Sequence, residues 1–218
     1  MGGLIEGKVI GVVGPVGAGK TELTTGLGKF LGAATYLECP SKNPFIEQYY
    51  ADIASGNLPS LVAFQSQVSF LVASMGQARI IENDKVQGVV WDVPPVGDNM
   101  YPTLAFESGI MGEDDYKLYC QLYEVLVVSS LQPDVLLVAT ANLPTILGRI
   151  KKRGRKMELE TPASYWDSQI NYWEWQVEQD GGRTMMELNS SEIDWLEGGD
   201  GIEQVWTMVQ AMLGVVSL

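Results

Sequence analysis

Eight consecutive residues, Gly14-Pro15-Val16-Gly17-Ala18-Gly19-Lys20-Thr21, follow the pattern G-x-x-x-x-G-K-[ST]. In such a loop the backbone N–H groups around Gly17 to Lys20 wrap an anion, and the helix that opens there adds the positive end of its dipole. Lys20 reaches the outer phosphates of a nucleoside triphosphate, and the Thr21 hydroxyl ligates Mg²⁺. The segment follows a β-branched run and precedes a helical one, the setting in which the pattern has meaning. The competing reading is a glycine turn that carries Lys-Thr by chance. A loop of this kind specifies a triphosphate such as ATP and leaves open what is done with it.

Arg149-Ile150-Lys151-Lys152-Arg153-Gly154-Arg155-Lys156 places six of the fourteen basic residues in eight positions. Outside it, eight basic residues face twenty-seven acidic ones, a balance of −19 in a chain of formal charge −13. A cationic island on an anionic chain predicts a lid over about 149–160 whose arginine forks grip phosphate oxygens. The alternative sets cations against a helix dipole that ends at Gly154, and it accounts for two or three of the six. No His is present. Ser-His-Asp and Cys-His catalysis and the imidazole shuttle are therefore excluded, and proton transfer falls to carboxylates. Glu38 and Asp92 each close a strand-like run, so both belong at the rim of the loop if those strands flank the first. Glu38 is the expected base for a hydroxyl attacking a γ-phosphate, with Lys20, Arg153 and Arg155 stabilising the group in transfer. Asp92 suits the Mg²⁺ shell, or is a turn residue before Pro94.

The elements that must position these groups alternate between two periods. Strand-like runs occur at Val9–Val13, Ala34–Leu37, Val89–Trp91, Val135–Ala139 and Met185–Leu188. Between them lie helical stretches: one from Lys20 with Leu23, Leu27, Phe30 and Leu31 on its stripe, and a long one at about 61–79. The long stretch carries Leu61, Phe64, Val68, Leu71, Val72 and Met75. Further helices are expected at 98–109, 113–131, 143–153, 161–179 and 200–214. Strands separated by helices pair in parallel through right-handed crossovers, which predicts a three-layer α/β fold with about five parallel strands. Ligands then bind beyond the carboxyl ends of the strands.

Composition bounds the rest. The 218 residues, 46% of them hydrophobic, suit one domain spanning 1–218. A sequence pI near 4.3 argues against nucleic-acid polymers and anionic membranes as partners. Met1 to Lys8 lacks the basic start and apolar stretch of a signal peptide, and no run approaches the roughly 20 apolar residues of a bilayer span. Cys39 and Cys120 read as reduced thiols of a cytoplasmic protein, with a disulfide between them as the alternative.

In the order of its motifs the chain resembles the deoxynucleoside kinases, nearer to bacterial and insect members than to viral thymidine kinases. The resemblance covers most of the chain. It rests on Gly14 to Thr21, Glu38-Cys39-Pro40, Asn43-Pro44-Phe45 followed by Tyr49-Tyr50, and Phe64-Gln65. Phe106-Glu107-Ser108-Gly109 with Met111 and Asp115-Tyr116 continues it, as do Arg149 to Arg155 followed by Glu158. It implies a P-loop kinase fold and Mg²⁺-assisted transfer from ATP to the 5′-hydroxyl of a deoxynucleoside, in a homodimer. By the same resemblance Glu38 is the base, Tyr50 and Glu158 hold the 3′-hydroxyl, Gln65 reads a base edge, Asp98 assists it, and Arg149, Arg153 and Arg155 are the lid arginines on the phosphates. Gln67 lies at the opposite flank of the helical stripe and remains the alternative to Gln65. A nucleoside monophosphate kinase, or a nucleotide-binding subunit with weakened catalysis, are the rival readings.

The chain departs from the family at three places, one of them a longer stretch between Tyr50 and Gln65 through Gly56-Asn57-Leu58-Pro59. The family writes Asp or Glu, then Arg, then Ser after the third strand, whereas Asp92 is followed by Val93-Pro94. The Arg found one or two turns beyond the base-reading Gln in some purine-preferring members is also absent. Arg79 lies fourteen residues past Gln65, about 21 Å along a helix.

Overall fold

The computed structural model describes residues 5–180, 185–196 and 200–214; of the stretch read for a signal peptide, residues 1–4 lie outside it. Five strands, β1 (Val9–Val13), β2 (Ala34–Tyr36), β3 (Val89–Asp92), β4 (Val135–Thr140) and β5 (Met185–Asn189), form one parallel sheet in the order β2-β3-β1-β4-β5. The connecting helices are α1 (Lys20–Leu31), α2 (Ile46–Ser55), α3 (Ala63–Asp84), α4 (Pro95–Asp98), α5 (Met100–Glu107) and α6 (Glu113–Val127). They continue as α7 (Leu143–Arg153), α8 (Lys156–Leu159), α9 (Ala163–Asp180) and α10 (Gly201–Leu213).

Every residue of β1, β3 and β4 is buried, as strands covered on both faces require. Side-chain alternation divides the core. Ile10 and Val12 pack with Leu23, Leu27 and Leu31 of α1 and Val205, Trp206 and Val209 of α10. On the opposite face Val13, Leu136 and Val138 meet Met100 of α5 and Trp173 of α9. The three-layer expectation holds, with β3 rather than β2 beside β1.

Four local expectations change. Phe30 is 44% exposed, because the buried face of α1 runs through Leu23, Leu27 and Leu31 with Thr24 and Gly28 between them. Helix α2 went unread, although its buried Ile46, Tyr49, Tyr50 and Ile53 keep helical spacing. The expected helix at 98–109 is two short ones meeting at Asn99. Helix α3 is the most instructive case: Leu61 precedes it and Val72 is 60% exposed. One of its faces packs Phe64, Val68, Leu71 and Met75 on Tyr119 and Val127. The adjacent buried face carries small and polar side chains, Ala63, Gln67, Ser74 and Ala78.

Candidate active site

All five strands point their carboxyl ends the same way, so the segments leaving β1, β2, β3 and β4 converge on one rim. A cavity of about 560 Å³ opens there. Its near end is the loop between β1 and α1. Gly14 has φ +136°, and a Cβ on it would stand 2.0 Å from the Ala139 carbonyl oxygen, so only glycine fits. Gly17 and Gly19 are left-handed as well, and Gly19 leads directly into α1.

Neighbours hold the loop in shape. Lys20 Nζ donates to the carbonyl oxygens of Gly14 and Pro15 at 2.9 and 3.0 Å. The Val16 N–H donates to Gln169 Oε1 at 3.1 Å. Arg149 Nη1 donates to the Gly17 and Ala18 carbonyls at 3.1 Å each and to Ser190 Oγ at 2.7 Å. Trp195 Nε1 caps the Gly19 carbonyl at 3.1 Å. Val16, Gly17, Gly19, Lys20 and Thr21 line the cavity; Gly14 and Ala18 are buried and do not.

Beside the loop stand the two expected carboxylates. Thr21 Oγ1 donates to Asp92 Oδ2 at 2.9 Å, while Asp92 Oδ1 is buried without a hydrogen-bond partner. Burial pushes the Asp92 carboxyl up, opposed by Lys20 and the Thr21 hydrogen bond. Glu38 lies half-buried two residues past β2 on the cavity wall. Burial lifts its carboxyl to about 7, against the charges of Lys20 and Arg155, with Asp92 adding to the rise. Burial also lowers the Lys20 ammonium, which Asp92 and Glu38 hold up.

The lid is α7, its left-handed stop at Gly154, and α8. Buried Glu158 accepts from Arg153 Nε at 2.9 Å and from Arg155 Nη1 at 3.2 Å. Tyr50 of α2 lies within the field of Glu158 and Glu38, and burial first, then Tyr165 and these charges, keeps its hydroxyl protonated. Tyr49, Tyr50, Tyr165 and Trp166 form an aromatic cluster around this corner. Sequence reading missed Tyr165, Gln169 and Tyr101 as cavity residues, because their helices look amphipathic and carry no motif.

The far end is built by α3 and α4. Gln67, 6% exposed, lines the cavity, and its amide has no protein partner among the described residues. Gln65 is exposed and does not line it. The choice of Gln65 is therefore corrected to Gln67, which stands one turn from both Ala63 and Leu71 on the buried face. Asp98 also lines the cavity, 4% exposed, with Ser74 Oγ hydrogen-bonded to its Oδ2. Burial drives its carboxyl well above the usual range. Ser74 lies one helical repeat past Gln67, on the same face.

Against known proteins, the family model described as "Deoxynucleoside kinase" matches residues 10–213. The chain belongs to the deoxynucleoside kinase family. It is thus an enzyme that phosphorylates deoxynucleosides to monophosphates with a nucleoside triphosphate as donor. It is 30% identical to the deoxyadenosine/deoxycytidine kinase of Bacillus subtilis over 95% of this chain and 94% of that one. With the deoxyadenosine kinase of Dictyostelium discoideum it shares 30% over 95% and 80%, and with the deoxyguanosine kinase of Bacillus subtilis 25% over 94% and 97%. The structure of deoxyadenosine kinase from M. mycoides with the product dCMP and a flexible dCDP shares its fold, with a TM-score of 0.78 at 24% identity over 93% of this chain and 99% of that one.

Within this kinase, position 93, where the resemblance implies an arginine, is a buried valine with φ 54°. A β-branched residue there is strained. Its side chain does not line the cavity, and the cations acting on Glu38 are Lys20 and Arg155 instead.

Proposed function

We propose that the enzyme transfers the γ-phosphoryl group of ATP to the 5′-hydroxyl of a deoxynucleoside, with Glu38 taking the hydroxyl proton. The observation that carries this reading is Glu38 itself, a half-buried carboxylate beside the phosphate loop, lifted to about 7 and flanked by the charges of Lys20 and Arg155. A base poised near the working pH is effective at proton abstraction. Lys20, Arg153 and Arg155 stabilise the charge of the group in transfer, and Arg149, committed to the loop carbonyls, holds the loop's shape. Tyr50 and Glu158 grip the 3′-hydroxyl, an approach that crowds a 2′-hydroxyl.

The donor set fits Mg²⁺. Thr21 and the partnerless Asp92 Oδ1 would hold it, leaving its other positions to water and phosphate, as this ion prefers. When bound, it neutralises charge on the phosphates.

Gln67 and Asp98 read the base. Ser74 Oγ stands 3.1 Å from the Leu71 carbonyl, to which it donates its one proton. Burial favours the protonated Asp98 carboxyl; with that proton on Oδ2 toward Ser74 Oγ, Asp98 is left with Oδ1 as its acceptor for the ligand. An amino group at purine C6 or pyrimidine C4 satisfies that acceptor; an oxo group at the same position opposes it. Adenine and cytosine are favoured over guanine and thymine.

Every cation on the described wall, Lys20, Arg149, Lys152, Arg153 and Arg155, belongs to the loop or the lid. A monophosphate acceptor would need cations beyond those of the loop and the lid, and the described wall offers none, which favours a nucleoside. Exposed Val72 and Ile80 on α3 beside Leu118 and Val125 on α6 give an apolar face for pairing in a homodimer. Free Cys39 and Cys120 fit a reducing cytoplasm, and no described helix is long and apolar enough to cross a membrane.

A coupled ADP-release assay over the four deoxynucleosides and their monophosphates tests the reading. Turnover is expected with the nucleosides, deoxyadenosine and deoxycytidine foremost. Turnover with monophosphates alone, or ATP binding without turnover, overturns it.

A further inference from the structure

Tyr101, on the first turn of α5, reaches across the cavity wall and donates its hydroxyl to the Gly14 carbonyl oxygen at 2.6 Å. The same oxygen accepts from Lys20 Nζ at 2.9 Å. A carbonyl has two lone pairs, so the two donors saturate it. The Tyr101 ring is itself fixed, edge-on to buried Trp173 of α9 with centroids 6.0 Å apart. The peptide that both donors grip is the one whose φ of +136° only glycine accepts.

We propose that Tyr101 is a positioning residue for phosphoryl transfer: by fixing the Gly14 carbonyl it sets the direction from which Lys20 presents its ammonium to the triphosphate. The inference rests on the proposed roles of the loop and of Lys20. Lys20 has three N–H donors. Two are bound to Gly14 and Pro15, which orients the third. Without the phenol, the Gly14 carbonyl has one donor and is free to follow Lys20, and the ammonium loses a fixed seat. Burial, reinforced by Glu38, keeps the Tyr101 hydroxyl protonated and so a donor across the working pH range. No cation from position 93 shares the task, since Val93 packs away from the cavity.

Tyr101→Phe removes the hydroxyl and leaves the ring on Trp173. Calorimetry of ATP–Mg²⁺ binding to the full chain, with steady-state kinetics, reads the effect. The expected result is a roughly three- to tenfold weaker ATP Kd and a similar fall in kcat, with the deoxynucleoside KM within twofold of wild type. In a Lys20→Met background the same substitution is expected to leave the ATP Kd within about twofold, because the two residues act through one oxygen. Equal losses in both backgrounds, a matching rise in the deoxynucleoside KM, or no change in either Kd or kcat would overturn the proposal. Failure of the wild-type chain to bind ATP at all would instead sink the reading on which it rests.

Discussion

At its near end the cavity is walled by backbone, and at its far end by side chains from separate helices. The near end is one contiguous segment, Gly14 to Thr21, whose left-handed glycines and helix start are dictated by local stereochemistry. The far end joins Gln67 and Ser74 of α3 to Asp98 of α4, residues that meet only because two helices cross above the sheet. Chemistry carried by amides in sequence tolerates change around it. Chemistry carried by side chains on a helix depends on which face that helix buries, and the helix can be retuned by one substitution.

The first way to break the comparison is at the boundary between the two ends. Glu38→Gln removes the base while keeping shape, and kcat is expected to fall by about 10²–10⁴-fold with ATP binding retained in calorimetry. A rate within twofold of wild type would take Glu38 out of the reaction. At the far end, Gln67→Leu is expected to lower kcat/KM for the preferred nucleoside by about 10²-fold, because base polar groups lose their partner in a buried site. Gln65→Leu, on the exposed side of the same helix, should leave it within twofold. Reversal of the two outcomes would put the base on the other face. The smallest effect is expected from Ser74→Ala, which frees Asp98 Oδ2. The kcat/KM preference for adenine and cytosine over guanine and thymine should narrow by about three- to tenfold, measured across four deoxynucleosides. An unchanged preference would mean that Ser74 does not orient Asp98.

The same division governs how much could be read from the chain alone. Val9–Val13 and Val135–Thr140 are legible because strands buried on both faces are continuous apolar runs. The loop is legible because its function lies in its own backbone. The lid's six cations stand out against an acidic chain, yet their division of labour does not: Arg149 turns back on the Gly17 and Ala18 carbonyls, while Arg153 and Arg155 flank Glu158. Gln67 was obscured because α3 buries two faces, and only the one against α6 is marked by large apolar residues. The polar face that carries Gln67 has no hydrophobic signature. Tyr101 was invisible for a related reason, since its partner is a backbone carbonyl 87 positions away.

The central claim is that Glu38 is a carboxylate raised by burial and used as a base, and the pH dependence of kcat/KM tests it most directly. The active form is deprotonated, so activity must fall as pH drops through the folded-state value. With that value at about 7, kcat/KM for the preferred deoxynucleoside at pH 6 should lie about tenfold below that at pH 8, and the residual activity of Glu38→Gln should lack this acidic limb. A wild-type profile flat between pH 6 and 8, or an identical limb in the Gln variant, would contradict the account.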